Sequence, residues 1–216
     1  MNSGEKELLE ILNFDIKIFE EARKLFKEEI YKYENEAKNL VGFALKTSGN
    51  ENLFETILEL RKKINEKGYF VFISDTEFTF TGITLTEVAF IKNNDLYDII
   101  SKIGTEAPNF DLENQDIINK LKEWEKICSF EVLEIKDDTL SIFFNTLPEN
   151  LEVFAEDIYK FCPDTLEQGY YGELDELEEF DEFDDMDKIS DLMDNQTPAT
   201  LATYLKNYNS VFLWWD

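Results

Sequence analysis

Cys162, Asp164 and Asp216 are the residues of this sequence whose side chains are the best candidates for catalysis or metal binding. Cys162 and Asp164 are two positions apart, and Asp216 follows two tryptophans. A cysteine attacks as its thiolate, which needs a neighbouring base or a positive environment. The chain contains no histidine and carries a formal net charge of -27. A thiolate at Cys162 is therefore disfavoured, and we assign no catalytic residue.

A site for a hard cation is the second chemical possibility. Asp164 and Asp216 could offer carboxylate oxygens, which Mg²⁺ and Ca²⁺ favour as ligands. Brought together, they would form an acidic pocket edged by Trp214 and Trp215. The sequence shows no recognisable spacing of metal ligands, and without histidine an imidazole zinc site is excluded. We therefore expect no metal and no cofactor, and a metal-dependent pocket stays an alternative.

The same motif also has a purely structural interpretation. Pro163 disfavours helical geometry at Cys162 and so ends a helix, after which Asp164 can cap the turn. Consecutive tryptophans in a strand point to opposite faces, so one can enter the core while the other covers a helix or lines a groove. The competing interpretation is a groove for a ligand or partner. Its candidate residues are Cys162, Asp164, Gln168, Tyr170, Trp214, Trp215 and Asp216.

The charge of the chain excludes several classes of function. There are 48 acidic and 21 basic residues among 216. Nucleic-acid binding through phosphate contacts needs a basic surface, and anionic membranes attract basic proteins. The N-terminus lacks the basic and then apolar order of a signal peptide, and no apolar run is long enough to span a membrane. We expect a cytoplasmic protein with no nucleic-acid or membrane partner.

A dense acidic run lies within the segment 173–195. Ten of the fifteen residues in 173–187 are acidic, but the chain without 173–195 would still carry a charge of -16. A solvated loop is the simplest interpretation, since like charges oppose a helix. A calcium site and a mimic of a phosphate backbone are the alternatives. The run does not fit an EF-hand, because it lacks the glycine and the closing glutamate at the required positions.

Apolar residues at helical spacing predict two helices between residues 5 and 35, with a break at Phe14 and Asp15. Gly68 is expected as a left-handed cap just past the end of one later helix, and Gly104 is expected to stop another. The predicted helical stripe of the N-terminal region contains Leu8, Leu9, Leu12, Ile18, Phe19, Ala22, Leu25, Phe26 and Ile30. The later helices are predicted to begin at Asn50 or Glu51, Asn94 or Asp95, Asn114, Pro148 and Pro198. Their apolar stripes include Phe54 and Ile127.

Short apolar runs predict the strands of a mixed structure. A tight turn is expected at Asp137 and Asp138. We expect the strands and the apolar helix faces to share one or two cores, with Ile73, Phe90, Ile135 and Phe143 inside. The predicted strands are 40–46, 69–73, 84–91, 129–135, 140–144 and 211–216.

Both halves of the chain thus contain helix, strand, turn, strand and helix. The fold class is α+β. Two architectures fit this order: two split βαβ halves of the ferredoxin-like kind, or one mixed sheet with helices packed on it.

Residues 88–216 resemble the domain-of-unknown-function family 4253, a bacterial family. The resemblance is carried by the words Phe161-Cys162-Pro163-Asp164, Gln168-Gly169, Thr200-Leu201-Ala202 and Leu213-Trp214-Trp215-Asp216. Gly104-Thr105, Asn109, Leu121, Trp124 and Leu147-Pro148 stand upstream in the expected order. We therefore divide the chain into an N-terminal region, 1–87, and a family-like domain, 88–216, in which 173–195 is an addition. The resemblance implies no established biochemical role.

The functional hypothesis is a non-enzymatic module that binds another protein, with an immunity- or antitoxin-like role as its specific form. In this role an acidic surface would meet a basic protein, and complementary charge would speed their association. The analogy with immunity proteins is one of size and acidity only. The alternative is a small metal-dependent hydrolase or ligand-binding domain at the Trp/Asp pocket. The sequence does not choose the partner or the oligomeric state.

Overall fold

The computed structural model describes residues 1–26, 28–48, 52–78, 84–167 and 197–215. The helices are α1 (Ser3–Leu12), α2 (Ile16–Phe26), α3 (Leu53–Ile64), α4 (Leu96–Ile103), α5 (Asn114–Trp124), α6 (Leu151–Phe161), α7 (Asp164–Glu167) and α8 (Pro198–Tyr208). The strands are β1 (Tyr31–Glu34), β2 (Leu40–Ser48), β3 (Phe70–Phe78), β4 (Thr84–Ile91), β5 (Ser129–Ile135), β6 (Thr139–Thr146) and β7 (Ser210–Trp214). Short 3₁₀ turns lie at Asn65–Lys67 and Pro108–Phe110.

Within the described residues the strands form a seven-stranded mixed sheet in the order β1-β2-β4-β3-β5-β6-β7. The pairs β1·β2, β2·β4, β3·β4 and β6·β7 are antiparallel, whereas β3 and β5 are parallel. The predicted α+β class with a mixed sheet is confirmed. Of the two predicted architectures, the strand order matches the single mixed sheet.

The described chain divides into two compact units. Unit 1 contains Met1–Thr105 and Leu133–Asp137, and unit 2 contains Glu106–Val132 and Asp138–Asp216. The last residues of β5 therefore belong to unit 1, where Glu134 is the register partner of Ile73 in β3. Unit 1 is consequently discontinuous in sequence.

The core of unit 1 is built on aromatic residues of neighbouring strands. Phe43 in β2 and Phe90 in β4 are register partners, and their rings stack with centroids 4.8 Å apart. Phe14 and Phe19 meet Phe43 through ring edges, and Phe26 meets Phe90 in the same way. These contacts pack α2 and the break that precedes it against the sheet. Burial of each such ring contributes about 1.5–3 kcal/mol.

Gly42 is fixed by the close approach of β2 and β4. It pairs with Ile91 across these strands. A Cβ atom at Gly42 would lie 2.1 Å from the backbone oxygen of Phe90. Because backbone cannot yield as a flexible side chain does, any side chain at this position would force β2 and β4 apart.

Local sequence signals set the ends of several helices in unit 1. The Asp95 side chain accepts hydrogen bonds from the backbone N–H groups of Tyr97 and Asp98 at the start of α4. Gly104 follows α4 with a φ of 93°, and Gly68 follows the 3₁₀ turn after α3 with a φ of 82°. Left-handed backbone of this kind favours glycine, which has no Cβ to clash. The left-handed cap at Gly68 and the stop at Gly104 are confirmed, and of the two predicted N-caps of α4 the structure shows Asp95.

Unit 2 has an aromatic core of its own. Trp124 of α5 meets Phe154 and Phe161 of α6 edge to face, with centroids 5.5 and 5.7 Å apart. Phe144 of β6 packs on Phe154, and Trp215 packs on Phe161, both at 5.5 Å. Edge-to-face rings add about 0.5–1.5 kcal/mol per pair to the gain from area burial. This cluster ties β6 and the residue after β7 to α5 and α6.

Other predicted elements agree with the structure. The helix break at Phe14 and Asp15 separates α1 from α2. The predicted strand 84–91 coincides with β4, and 129–135 coincides with β5. Ile73, Phe90 and Ile135 are buried as expected.

Some predictions were wrong. Ile30 lies between α2 and β1 instead of in a helix, and Pro148 precedes α6, whose N-cap is Asn150. The prediction for Phe143 is met only in part: this residue is half-buried, because Ile142 and Phe144 take the inner positions of β6. Leu25, Phe54 and Ile127 are exposed large apolar residues instead of core residues. Ile127 lies past the end of α5, where helical spacing no longer applies.

Candidate functional site

The motif Phe161–Asp164 forms a sharp corner between α6 and α7. Cys162 has a φ of -138° and a ψ of 85°, which is not helical geometry, and its N–H still reaches the carbonyl of Ile158 at 2.8 Å. The proline at 163 explains this geometry, since it disfavours the α region for the residue before it. The corner directs the chain straight into the one-turn helix α7.

The Cys162 thiol is a structural donor at this corner. Its residue is 0% exposed, and Sγ donates to the carbonyl oxygen of Trp214 over 3.1 Å. Burial raises the pKa of the Cys162 thiol to about 11, outweighing the opposing effect of hydrogen bonds from Thr165. The thiol is therefore protonated at neutral pH, and a protonated thiol is a poor nucleophile.

The two tryptophans have different environments, as the strand geometry predicted. Trp215 is 3% exposed, and its indole N–H donates to the carbonyl oxygen of Phe161 over 3.2 Å. Trp214 is only partly buried, and its indole N–H donates to Oδ2 of Asp138 over 3.3 Å. Trp215 is thus the member of the pair that enters the core.

Asp138 also belongs to this site. From the sequence it was predicted only as part of a tight turn. Its backbone oxygen accepts the N–H of Trp215 at 3.1 Å, and its carboxylate accepts the hydroxyl of Thr139 as well as the Trp214 indole. The corner at Cys162 and the turn at Asp138 therefore hold the end of β7 from two sides. A distance of 76 residues separates Asp138 from Trp214, so no local signal in the sequence links them.

The structure brings together four of the predicted site residues: Cys162, Asp164, Trp214 and Trp215. Asp164 is 5% exposed at the first position of α7, where it has an interaction partner. Gln168, Tyr170 and Asp216 lie outside the described residues, as does the acidic segment 173–195. The proposed pocket between Asp164 and Asp216 therefore stays a prediction. Within the part of the chain that is described, no group of three or more Cys, Asp or Glu side chains could hold a metal ion.

An open groove lies elsewhere in unit 2, between α6 and the start of α8. It has a volume of about 430 Å³ and is lined by Glu152, Glu156, Tyr159, Lys160, Pro198 and Ala199. Lys160 forms an ion pair with Glu156 at 2.8 Å, and both side chains are more than half exposed. This groove was not predicted from the sequence. The signal available for it was a pair of glutamates one helical turn apart.

The acidic residues are distributed unequally between the units. Unit 2 has 27 acidic and 6 basic residues, whereas unit 1 has 21 acidic and 15 basic residues. Most of the net charge of -27 is therefore carried by unit 2. Among the described helices, none is both long enough and apolar enough to cross a membrane.

These features define an α+β protein with a mixed sheet and a structural Cys-Pro-Asp corner that holds the end of its last strand. The family model named Domain of unknown function (DUF4253) matches residues 87–216. The chain belongs to this family, as the C-terminal motifs indicated. No curated protein and no solved structure matches the chain.

Proposed function

We propose that this protein is a non-enzymatic, cytoplasmic bacterial module that binds a basic protein partner. An immunity- or antitoxin-like role is the specific form of this proposal. The observation that carries it is the unequal charge: the unit that contains most of the family match has 27 acidic residues against 6 basic ones. Such a surface attracts a basic protein and repels acidic ones.

The environment of the cysteines supports a role without nucleophilic catalysis. Burial raises the pKa of Cys128 and of Cys162 to about 11 in each case. The chain has no histidine to act as a general base for either thiol. The side chains gathered at the Cys162 corner hold strand β7 in place, which is a structural task.

The consequence for binding is a fast, steered encounter. Unlike charges on two proteins raise the association rate, and salt screens this attraction with a Debye length of ~30 Å at 0.01 M and ~8 Å at 0.15 M. For a toxin inhibitor, rapid association is the useful property, because the toxin must be bound before it acts.

The neighbouring open reading frame provides the test. Its product is purified, and its association with the full chain is followed by stopped-flow fluorescence between 0.01 and 0.15 M salt. We expect a basic product, a tenfold or larger fall in association rate across this range, and rescue of growth when both proteins are expressed together. A neighbour that encodes a metabolic enzyme, or a partner whose association rate ignores salt, would contradict the proposal.

A further inference from the structure

The groove between α6 and α8 combines carboxylates with apolar surface. Glu152 and Glu156 stand one helical turn apart on its α6 side, and Tyr159 continues the same side. Pro198 and Ala199 form the α8 side. A cationic group entering between these walls would meet two carboxylates, one of them paired with Lys160, and the side chain of Tyr159, whose aromatic ring also attracts cations.

Exposed apolar surface borders this groove. Val153 on α6 is 59% exposed and lies between the two glutamates in sequence. Ala199 on α8 is exposed as well. A partner that carried only charge would leave these side chains in water, whereas one with an apolar residue beside its basic residues would cover them.

The charge of unit 2 favours a basic occupant. Lys160 offsets one of the two glutamates through its ion pair with Glu156. Unit 2 as a whole has more than four times as many acidic as basic residues.

We propose that the α6–α8 groove is the docking site for a basic, amphipathic segment of the protein partner. This inference rests on the proposed function and names the surface through which it operates. Lysine or arginine side chains of the segment pair with Glu152 and Glu156. An apolar side chain of the segment covers Val153 and Ala199.

The test uses the full chain and two synthetic peptides as probes. Both peptides carry lysine at the same positions, and the remaining positions are leucine in one and serine in the other. Binding is measured by titration with ¹⁵N-resolved NMR at low salt. We expect the leucine peptide to shift the amide signals of residues 152–160 and 198–199 and to bind more tightly than the serine peptide.

A matched pair of variants tests whether the glutamates of the groove, rather than acidic residues elsewhere, bind the peptide. Glu152→Gln/Glu156→Gln removes two charges from the groove. Glu55→Gln/Glu59→Gln removes two exposed charges at the same spacing from α3 in unit 1. We expect the groove variant to weaken binding of the leucine peptide about threefold to tenfold, the sum for two exposed ion pairs, and the α3 variant to weaken it less than twofold. Circular dichroism and thermal unfolding check that both variants fold.

The outcomes separate this inference from the proposed function. Equal weakening by both variants, or NMR shifts outside the groove, would overturn the groove as the docking site and leave binding of a basic partner intact. Failure of the wild-type chain to bind either peptide would also overturn the groove. Failure to bind the basic product of the neighbouring reading frame would overturn the proposed function itself.

Discussion

Cys162 connects two parts of unit 2 that are far apart in sequence. Its thiol donates to the carbonyl of Trp214, while its N–H closes the last turn of α6. The side chain is fully buried, so the thiol is shielded from solvent. These contacts explain why a small residue with a weak donor suits this corner.

The two cysteines should react very slowly with thiol reagents in the folded protein. Burial raises the pKa of each thiol from its ordinary value of 9.0 to about 11. At pH 8 the thiolate fraction is then about 100-fold smaller than for an ordinary thiol, before any loss of access is counted. Reaction with Ellman's reagent in native buffer and in guanidinium measures the difference. Cys128→Ala and Cys162→Ala assign the rates, and a rapid native reaction of Cys162 would contradict its buried position.

The same shift predicts a loss of stability at high pH. A thiol whose pKa is raised on folding favours the folded state below the pKa of the unfolded chain. Its contribution falls as the pH rises from about 9 to about 11, because only the unfolded chain then releases the proton. Urea unfolding of wild type and Cys162→Ala at pH 8 and pH 10.5 measures this. The fall in the free energy of unfolding between pH 8 and pH 10.5 should be smaller in Cys162→Ala than in the wild type.

Gly42→Ala should destabilise unit 1 strongly. The added Cβ would lie 2.1 Å from the backbone oxygen of Phe90, so β2 and β4 would have to separate. Overpacking of this kind costs about 1–3 kcal/mol, seen as a lower midpoint of urea unfolding.

Gly4→Ala is the matched control for this prediction. A Cβ at Gly4 meets only the side-chain oxygen of Asn2, at the ordinary distance of 3.5 Å. Since Gly4 lies in α1, alanine there should be neutral or stabilising by about 0.5–1 kcal/mol. Equal effects of the two substitutions would contradict the close strand approach.

At the scale of the element, α4 depends on its cap at Asp95. The carboxylate of Asp95 accepts two backbone N–H groups that otherwise have no partner within the helix. Asp95→Ala should lower the free energy of unfolding by about 1 kcal/mol. Asp95→Asn keeps an accepting oxygen and should change the free energy of unfolding by only a few tenths of a kcal/mol. Chemical denaturation of both variants measures this, and equal losses would show that charge matters more than capping.

Elements with strong local signals were predictable from the sequence. Asp95 and Gly104 bracket α4, and the apolar run of β4 has the length and composition of a buried strand. β1 was not predicted, because its four residues, Tyr31–Glu34, are alternately tyrosine and charged, and they directly follow the helical pattern that Ile30 extends. Pairing with β2, rather than local propensity, makes this segment a strand.

The site was predictable only in part, because its contacts join distant residues. The proline after Cys162 predicted the corner, and the strand alternation predicted unlike positions for Trp214 and Trp215. The partners of these residues were not predictable. Trp214 meets Asp138 from 76 positions away, and the indole of Trp124 meets the carboxylate of Asp157 from 33 positions away.

For the whole molecule, the acidic segment should be dispensable for folding. Packing the twelve acidic residues of 173–195 would place unpaired carboxylates in the core, at a large cost. Replacing 173–195 with a short Gly/Ser linker should leave the thermal midpoint unchanged or raise it, since like charges repel.

The control for the segment keeps its length and removes its charge. Asparagine and glutamine replace its aspartates and glutamates, so that the two variants separate the effect of charge from that of contacts. Differential scanning calorimetry compares them. A fall of the midpoint by more than ~8 °C in the linker variant, about the response of a small domain to 1 kcal/mol, would mean that the segment packs.

The discontinuity of unit 1 has a consequence for synthesis on the ribosome. Leu133–Asp137 contain the parallel partner of β3. They are translated only after Glu106–Val132, a stretch that belongs to unit 2. Glu134 lies 56 positions after Phe78, the last residue of β3, so at about 5–20 residues per second the nascent chain holds β3 with one edge unpaired for roughly 3–11 s. That edge is flanked by the apolar residues Phe70 to Ile73, a kind of surface on which neighbouring nascent chains can aggregate. The order of translation, rather than the stability of the finished protein, thus sets how long this edge of β3 stays exposed.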